Sequence, residues 1–201
     1  MNNTASASPP SGKSAEDINC LSNHFLLAMP NLRQGIFSHS ITYICEHGEN
    51  GAMGIIINQA LELSVAEIFE HLQIKASSST CQEPVMAGGP VQIDHGFVLH
   101  RNCSTQWEAS LEVTPEVTLT TSRDILKSIA EGNGPLDHLI ALGYAGWSAG
   151  QLEEELAQNS WLTLPADADI IFSTPYQQRH SAAAATLGVD MNLISGRAGH
   201  A

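Results

Sequence analysis

Short apolar runs, bounded by glycine, proline and polar residues, alternate with polar segments along most of the chain. Runs of about four to eight residues are typical of buried β-strands. An Asn-Gly pair at 50–51 is typical of a hairpin turn between two of these runs. The pattern predicts strands at 25–29, 41–45, 54–58, 96–100, 117–121, 139–142 and 169–172.

Helices are predicted where the apolar spacing lengthens to three and four residues. Ser64 and Glu67 have the spacing of a capping box, and the apolar residues that follow share one helical face. A second helix is predicted over 122–131, with Gly132 placed to end it. A further helix is predicted to start near Pro175 and to end at Gly188.

The most informative stretch runs from 138 to 161. It predicts the strand 139–142, a turn loosened by three glycines with Trp147 within it, and then a helix. Ser148 precedes Gln151 by three residues, which is again the spacing of a capping box. We therefore interpret Ser148 as the residue that caps this helix.

The same residues also spell a G-x-S-x-G pattern at 146–150, which in a nucleophile elbow places a serine on a strand-to-helix turn. A catalytic triad in that order requires a histidine further along, and only His180 and His200 follow. A serine hydrolase using Ser148 is thus an alternative hypothesis, although little chain remains for the further strands of such folds.

The elements occur as groups of strands separated by single helices, which favours an α+β fold over regular βαβ winding. Residues 1–17 are rich in Ser, Ala and Pro without an apolar period, which predicts a disordered tail. The remainder, 18–201, is predicted to form a single domain.

Charge and hydropathy restrict the function classes. Eight basic residues face 21 acidic ones, so the formal net charge is −13 and direct nucleic-acid binding is disfavoured. No apolar run reaches the roughly 20 residues of a membrane span, and the N-terminus lacks the pattern of a signal peptide. The expected location is cytoplasmic, with no membrane partner.

Metal-binding patterns are weak. The four cysteines include no C-x-x-C pair and are expected to be free thiols. Cys45 and His47 would share one face of a regular strand. A metal-dependent hydrolase built on Glu46, His47 and His100 is a second alternative, but the interpretation we favour has no metal and no cofactor.

Several ordered motifs resemble the YqgE/AlgH family of bacterial cytosolic proteins, from about residue 21 to the C-terminus. They include Ala28-Met29-Pro30, Glu46-His47, Gly88-Gly89-Pro90, Phe97-Val98-Leu99-His100, Leu142-Gly143-Tyr144-Ala145-Gly146-Trp147 and Gly150-Gln151-Leu152-Glu153. The resemblance implies a mixed α/β domain whose strongly bent sheet closes towards a pseudo-barrel flanked by helices. It implies no catalytic residues, and at most an indirect role in transcriptional regulation or alginate production.

The favoured interpretation is a soluble, non-enzymatic binding or regulatory protein that recognises a small ligand or a protein partner. Polar and aromatic residues beside glycine turns are the features that a pure scaffold would not need. The predicted functional surface consists of Glu46, His47, Asn58, Gly88, Gly89, His100, Trp147, Gln151 and Glu154.

Overall fold

The computed structural model describes residues 20–32, 35–76 and 83–188, so the predicted tail at 1–17 lies outside the described part. This part contains ten strands and five α-helices. The strands are β1 (His24–Ala28), β2 (Ile41–Gly48), β3 (Gly51–Ile56), β4 (Ala60–Ser64), β5 (Pro84–Ala87), β6 (Val91–Arg101), β7 (Ser110–Glu112), β8 (Val117–Thr120), β9 (His138–Ser148) and β10 (Trp161–Pro165). The helices are α1 (Val65–His71), α2 (Arg123–Ala130), α3 (Gln151–Ala157), α4 (Ala168–Phe172) and α5 (Arg179–Thr186).

The strand β9 is the centre of the sheet. Eight strands follow the order β10-β1-β2-β3-β9-β6-β8-β7, with antiparallel neighbours throughout. The short β5 joins β9 in parallel, and β4 pairs with β5. The sheet curls into a half-barrel flanked by helices, which confirms the predicted α+β class and bent sheet.

The two sides of the curled sheet bury different cores. Side chains from both ends of the strand order meet in one cluster, which identifies the concave side, and α4 and α5 cover part of it. On the convex side, one cluster lies beneath α3 and contains Trp147 and Trp161. Another lies beneath α1 and α2. The concave side has a region that neither α4 nor α5 covers.

The predicted helix starts are partly confirmed. Ser64 and Glu67 form both bonds of the capping box at α1. Gly132, whose φ is +79°, directly follows Glu131, the C-cap of α2, as predicted for a glycine that ends the helix. The helix predicted from Pro175 instead begins with a 3₁₀ turn at Tyr176–Gln178, and α5 follows it.

Two strand predictions are wrong. The run 169–172 lies in α4, where the carboxylate of Asp167 accepts from the backbone N–H of Asp169 at 2.8 Å. A four-residue apolar run does not by itself separate a strand from a buried helical turn. The strand predicted to end at Leu142 continues to Ser148, because pairing with β3 and β6 holds the glycines in the sheet.

Candidate functional site

An open cleft of about 850 Å³ occupies the part of the concave side that α4 and α5 leave uncovered. Its walls come from β2, β3, β6, β7, β8 and β9. The apolar lining is formed by Met53, Val91, Phe97, Ala109, Leu111, Leu119 and Tyr144. Ala52 and Trp147 also adjoin the cleft, although their side chains pack in the convex cluster. The polar lining is formed by Glu46, Gln92, Ser110 and Thr121.

The floor of this cleft is shaped by a missing side chain. Gly146 of β9 pairs with Met53 of β3, and a Cβ at Gly146 would lie 3.1 Å from Cε2 of Tyr144 and 3.7 Å from Cγ2 of Val91. The ring of Tyr144 stands at 61° to that of Phe97, with the ring centres 5.6 Å apart. Glycine therefore leaves space that any side chain would narrow.

A β-bulge in β2 places Glu46 at the rim. The pairing of β2 with β3 shifts between Ile44 and Glu46, so Glu46 pairs with Met53 on the concave side while His47 turns to the convex side. The prediction that Cys45 and His47 share a face is therefore wrong, because Cys45 is buried in the concave core. Bulges commonly re-aim side chains in this way.

His47 acts as a fixed connector. Its Nδ1 accepts from the backbone N–H of Leu21 at 3.1 Å, so its Nε2 carries the hydrogen and donates to Oε1 of Glu153 at 2.8 Å. The imidazole, whose side chain is only 8% exposed, joins the start of the described chain to α3. Glu46, His47 and Trp147 do line one smaller cleft of about 370 Å³.

The metal-site alternative finds no support in the geometry. Within residues 20–32, 35–76 and 83–188, no group of three His, Cys, Asp or Glu side chains is placed to hold an ion. His100 pairs with His138 at the start of β9, whereas Glu46 and His47 lie by the end of β9, roughly 30 Å along the strand. The three residues of that hypothesis do not meet.

The helix α3 is held by a carboxylate that sequence reasoning missed. Oε2 of Glu155 accepts from the indole Nε1 of Trp147 at 2.9 Å and from that of Trp161 at 2.7 Å. Its Oε1 accepts from Nε2 of Gln151 at 3.0 Å. This bond joins residues i and i+4 of α3, whereas Glu154 is exposed.

The indole rings extend this arrangement. The rings of Trp147 and Trp161 are 6.0 Å apart at 79°, and Phe37 lies 5.6 Å from Trp161 at 89°. Both tryptophans are about 5–6% exposed. Trp147 therefore fills the convex core in the body of β9 and is not part of a turn, contrary to the prediction.

Ser148 does not cap α3. The N-cap is Gly150, which has a φ of +78° and makes no side-chain cap bond. Ser148 closes β9, where its backbone N–H and its hydroxyl both donate to Oε1 of Gln151, at 3.0 and 3.2 Å. Glycine adopts this left-handed conformation without strain. The helix therefore starts after Gly150 and not after Ser148.

The nucleophile hypothesis also lacks its base. The ring of His180 bonds the backbone of Ala28, beside the start of β2, whereas Ser148 adjoins the hairpin at the other end of β2. Those ends are roughly 23 Å apart for eight residues. His200 lies outside the described residues.

Replacing Ser148 with alanine is expected to change the free energy of unfolding by only a few tenths of a kcal/mol, because the exposed hydroxyl makes no backbone cap and the backbone bond to Gln151 remains. Urea denaturation measures this. Loss of more than about 1 kcal/mol would restore the capping interpretation.

A fluorophosphonate probe should leave Ser148 unlabelled, and stoichiometric labelling would restore the hydrolase hypothesis.

Asn58, Gly88 and Gly89 shape the backbone. Oδ1 of Asn58 accepts from the N–H of Ile41 and its Nδ2 donates to the carbonyl of His39, both at 2.9 Å, which closes the loop before β2. The two glycines form the bend between β5 and β6, where it crosses β9. None of the three lines the concave cleft.

His100 is buried and 2% exposed. Its Nδ1 lies 2.9 Å from the carbonyl oxygen of Arg101, so Nδ1 carries the hydrogen and Nε2 accepts from the hydroxyl of Thr120, also at 2.9 Å. Burial lowers the pKa of His100, and the bond to the Arg101 carbonyl opposes this in part. It lines a separate polar cleft of about 380 Å³.

Stability is expected to fall as the pH drops below about 6.5, the ordinary histidine value. Burial lowers the pKa of both His100 and His180, so the unfolded chain takes up protons first and acid favours unfolding. Linkage limits the slope for one such histidine to at most about 1.4 kcal/mol per pH unit. Urea denaturation between pH 7.5 and 5.5 measures it.

Two variants isolate the histidine contribution. His100→Asn should make this pH dependence shallower, leaving the contribution of His180, whereas His71→Asn, at an exposed histidine, should leave it unchanged. A profile that is flat for the native sequence, or one that His100→Asn does not alter, would contradict the assignment of the buried neutral imidazole.

Of the nine predicted residues, Glu46, His47, Trp147, Gln151 and Glu154 lie around α3 and the β2–β3 hairpin. Asn58, Gly88, Gly89 and His100 lie elsewhere in the sheet. Sequence reasoning missed most of the cleft, including Met53 and Tyr144. The available signal was the alternation along each strand: Met53 is followed by Gly54, and Tyr144 by Ala145. Successive strand residues face opposite sides of the sheet, so Met53 and Tyr144 could have been assigned to one side.

Comparison with known proteins agrees with this architecture. A family model described as AlgH-like matches residues 25–192. A UPF0301 protein of Thioalkalivibrio sulfidiphilus is 56% identical over 179 residues, covering 89% of this chain and 96% of that protein. A UPF0301 protein of Saccharophagus degradans is 54% identical over 181 residues, covering 90% of this chain and 89% of that protein.

Two solved structures are similar. The solution structure of the AlgH protein from Pseudomonas aeruginosa is 45% identical, with a TM-score of 0.75, and the match covers 98% of this chain and 100% of that one. Protein DIP2367 from Corynebacterium diphtheriae shares the fold at 15% identity and a TM-score of 0.69, covering 88% of this chain and 92% of that one. In the described part of this chain, no helix is both long and apolar enough to cross a membrane. The chain belongs to the AlgH-like family.

Proposed function

We propose that this protein is a non-enzymatic binding protein that holds a small molecule in the concave cleft of its half-barrel. The observation that carries the proposal is the cleft itself, about 850 Å³ with a largely apolar lining and a few polar groups at hand. Binding sites for small molecules commonly have this size and this mixture of side chains. The proposed location of the protein is the cytoplasm.

The chemistry of the lining supports binding over catalysis. Among the described residues that line the cleft there is no histidine, cysteine or lysine, and Glu46 is the sole carboxylate. The hydroxyl of Ser110 lies 2.8 Å from that of Thr120, which in turn bonds Nε2 of His100, so the imidazole does not contact Ser110 directly and does not line the cleft. General acid–base or nucleophilic catalysis requires a partner group that this lining does not offer.

Any role of this protein in regulating gene expression is proposed to be indirect, without contact between the protein and DNA. The net charge of −13 opposes contact with a phosphate backbone, so any effect on gene expression would pass through the bound molecule or through another protein. The similarity to AlgH of Pseudomonas aeruginosa is a similarity of sequence and fold. That similarity is compatible with an indirect regulatory role, and it does not identify a ligand.

The test is to fill the cleft. Gly146→Val places a branched side chain beside Tyr144 and Val91, in a strand conformation that valine favours. Binding of aromatic and aliphatic fragments, found by saturation-transfer NMR with the native protein, should weaken at least about tenfold in this variant.

The matched control is Gly48→Val. A Cβ at Gly48 has no atom within 4 Å, and Gly48 lines the smaller cleft but not the large one. It should leave fragment binding unchanged. Equal affinities for the native protein and folded Gly146→Val would refute the proposal, as would the absence of any fragment that binds.

A further inference from the structure

We infer that the ligand of the concave cleft is cationic, with an amine or guanidine group on an apolar body. The inference rests on the proposed binding function and assigns its ligand class. It starts from Glu46, whose carboxylate is exposed at the rim of the cleft. Throughout the described residues, no ion pair or side-chain hydrogen bond engages this carboxylate.

Two carboxylates of the adjoining helix α3 do engage partners. Glu153 bonds His47, and Glu155 bonds two indoles and Gln151. Glu46 instead lies beside Met53 across the β2–β3 pair, and the bulge in β2 aims it to the concave side. Glu46 therefore places a negative charge next to the apolar wall of the concave cleft.

No positive charge in the lining competes for this carboxylate. The described residues of both the large and the smaller cleft include no lysine or arginine. Arg101 bonds Asp137 and Asp169 at the other end of β6, and Arg179 is buried against backbone carbonyls. Glu49 adds a second carboxylate at the adjoining smaller cleft, so the local field favours a cation.

The apolar walls define the rest of the ligand. Met53, Phe97, Leu111 and Tyr144 offer aliphatic and aromatic contact within reach of the rim. The tyrosine ring also favours a nearby cation through its π face. An anion would meet only carboxylates at this rim, and a neutral apolar molecule would leave Glu46 without a partner.

The experiment compares three probes that share one body: 4-phenylbutylamine, 4-phenylbutanol and 4-phenylbutyrate. Titration calorimetry at pH 7 and low salt should show the amine binding about tenfold more tightly than the carboxylate, with the alcohol between them. In Glu46→Gln the difference between amine and carboxylate should shrink to about twofold, because the isosteric amide removes the charge alone. Glu49→Gln, which changes the smaller cleft only, should keep most of the difference.

The outcomes separate this inference from the proposed function. Equal binding of all three probes, lost in Gly146→Val, would overturn the cationic class and leave the binding cleft intact. Tighter binding of the carboxylate, or a preference that Glu46→Gln does not change, would also overturn it. Failure of all three probes to bind would count against both the inference and the proposed function.

Discussion

Replacing Gly89 with alanine is expected to cost about 3 kcal/mol or more of folding free energy. Gly89 has a φ of +156°, and a Cβ there would lie 2.1 Å from the carbonyl carbon of Tyr144 and 2.3 Å from the backbone nitrogen of Ala145. Both contacts are with the backbone of the central strand β9, which cannot rotate aside. Urea denaturation, or loss of soluble folded protein, measures the effect.

Alanine variants at two other glycines separate the two contributions to this loss of stability, the steric overlap with β9 and the unfavourable backbone conformation. Gly132→Ala, at a φ of +79° with no atom within 4 Å of the added carbon, should lose only about 1–2 kcal/mol, the cost of the left-handed backbone alone. Gly96→Ala, in open space without a positive φ, should be nearly neutral. A Gly89→Ala variant no less stable than Gly132→Ala would show that the bend between β5 and β6 does not rest against β9.

Replacing Glu155 with alanine is expected to lower the free energy of unfolding by about 3 kcal/mol. The change leaves the indole N–H groups of Trp147 and Trp161 without an acceptor, and each orphaned buried donor costs about 1–3 kcal/mol. Thermal or urea denaturation followed by tryptophan fluorescence reports on the same rings.

Controls for Glu155 are available on the same helix. Glu155→Gln keeps an acceptor oxygen for the indoles and should lose only about 1 kcal/mol. Glu154→Ala, at an exposed neighbour, should be close to neutral. Similar stabilities for Glu155→Ala and Glu154→Ala would contradict the role assigned to the shared carboxylate.

Much of the fold could be predicted from local patterns. The capping box at Ser64 and Glu67 and the Gly132 helix end are recognisable because both use contacts within a few residues. The bent half-barrel followed from the family resemblance. The extension of β9 through Gly143 and Gly146 depends on pairing with β3 and β6. Those strands are distant in sequence, so the pattern of this segment alone does not predict the extension.

The candidate site was harder to predict, for a physical reason. The bulge at Cys45 reverses the side to which Glu46 and His47 turn, and bulges follow from strand pairing and not from apolar period. The short strand β7, which supplies Leu111 to the cleft, is three residues long and gives almost no period. Glu155 was passed over because its partners, two tryptophans, flank the helix in sequence and meet it only after folding.

The binding cleft can be tested through methionines that the chain already carries. Met53 lines the cleft, whereas Met86 is buried in the core at 3% exposure and Met29 lies outside the cleft lining. In ¹³C-methyl spectra titrated with 4-phenylbutylamine or 4-phenylbutanol, the Met53 resonance should move to a saturating position while those of Met86 and Met29 stay within the line width. An unmoved Met53 resonance at probe concentrations that saturate the protein, or equal movement of all three, would contradict the proposal that the half-barrel holds a small molecule.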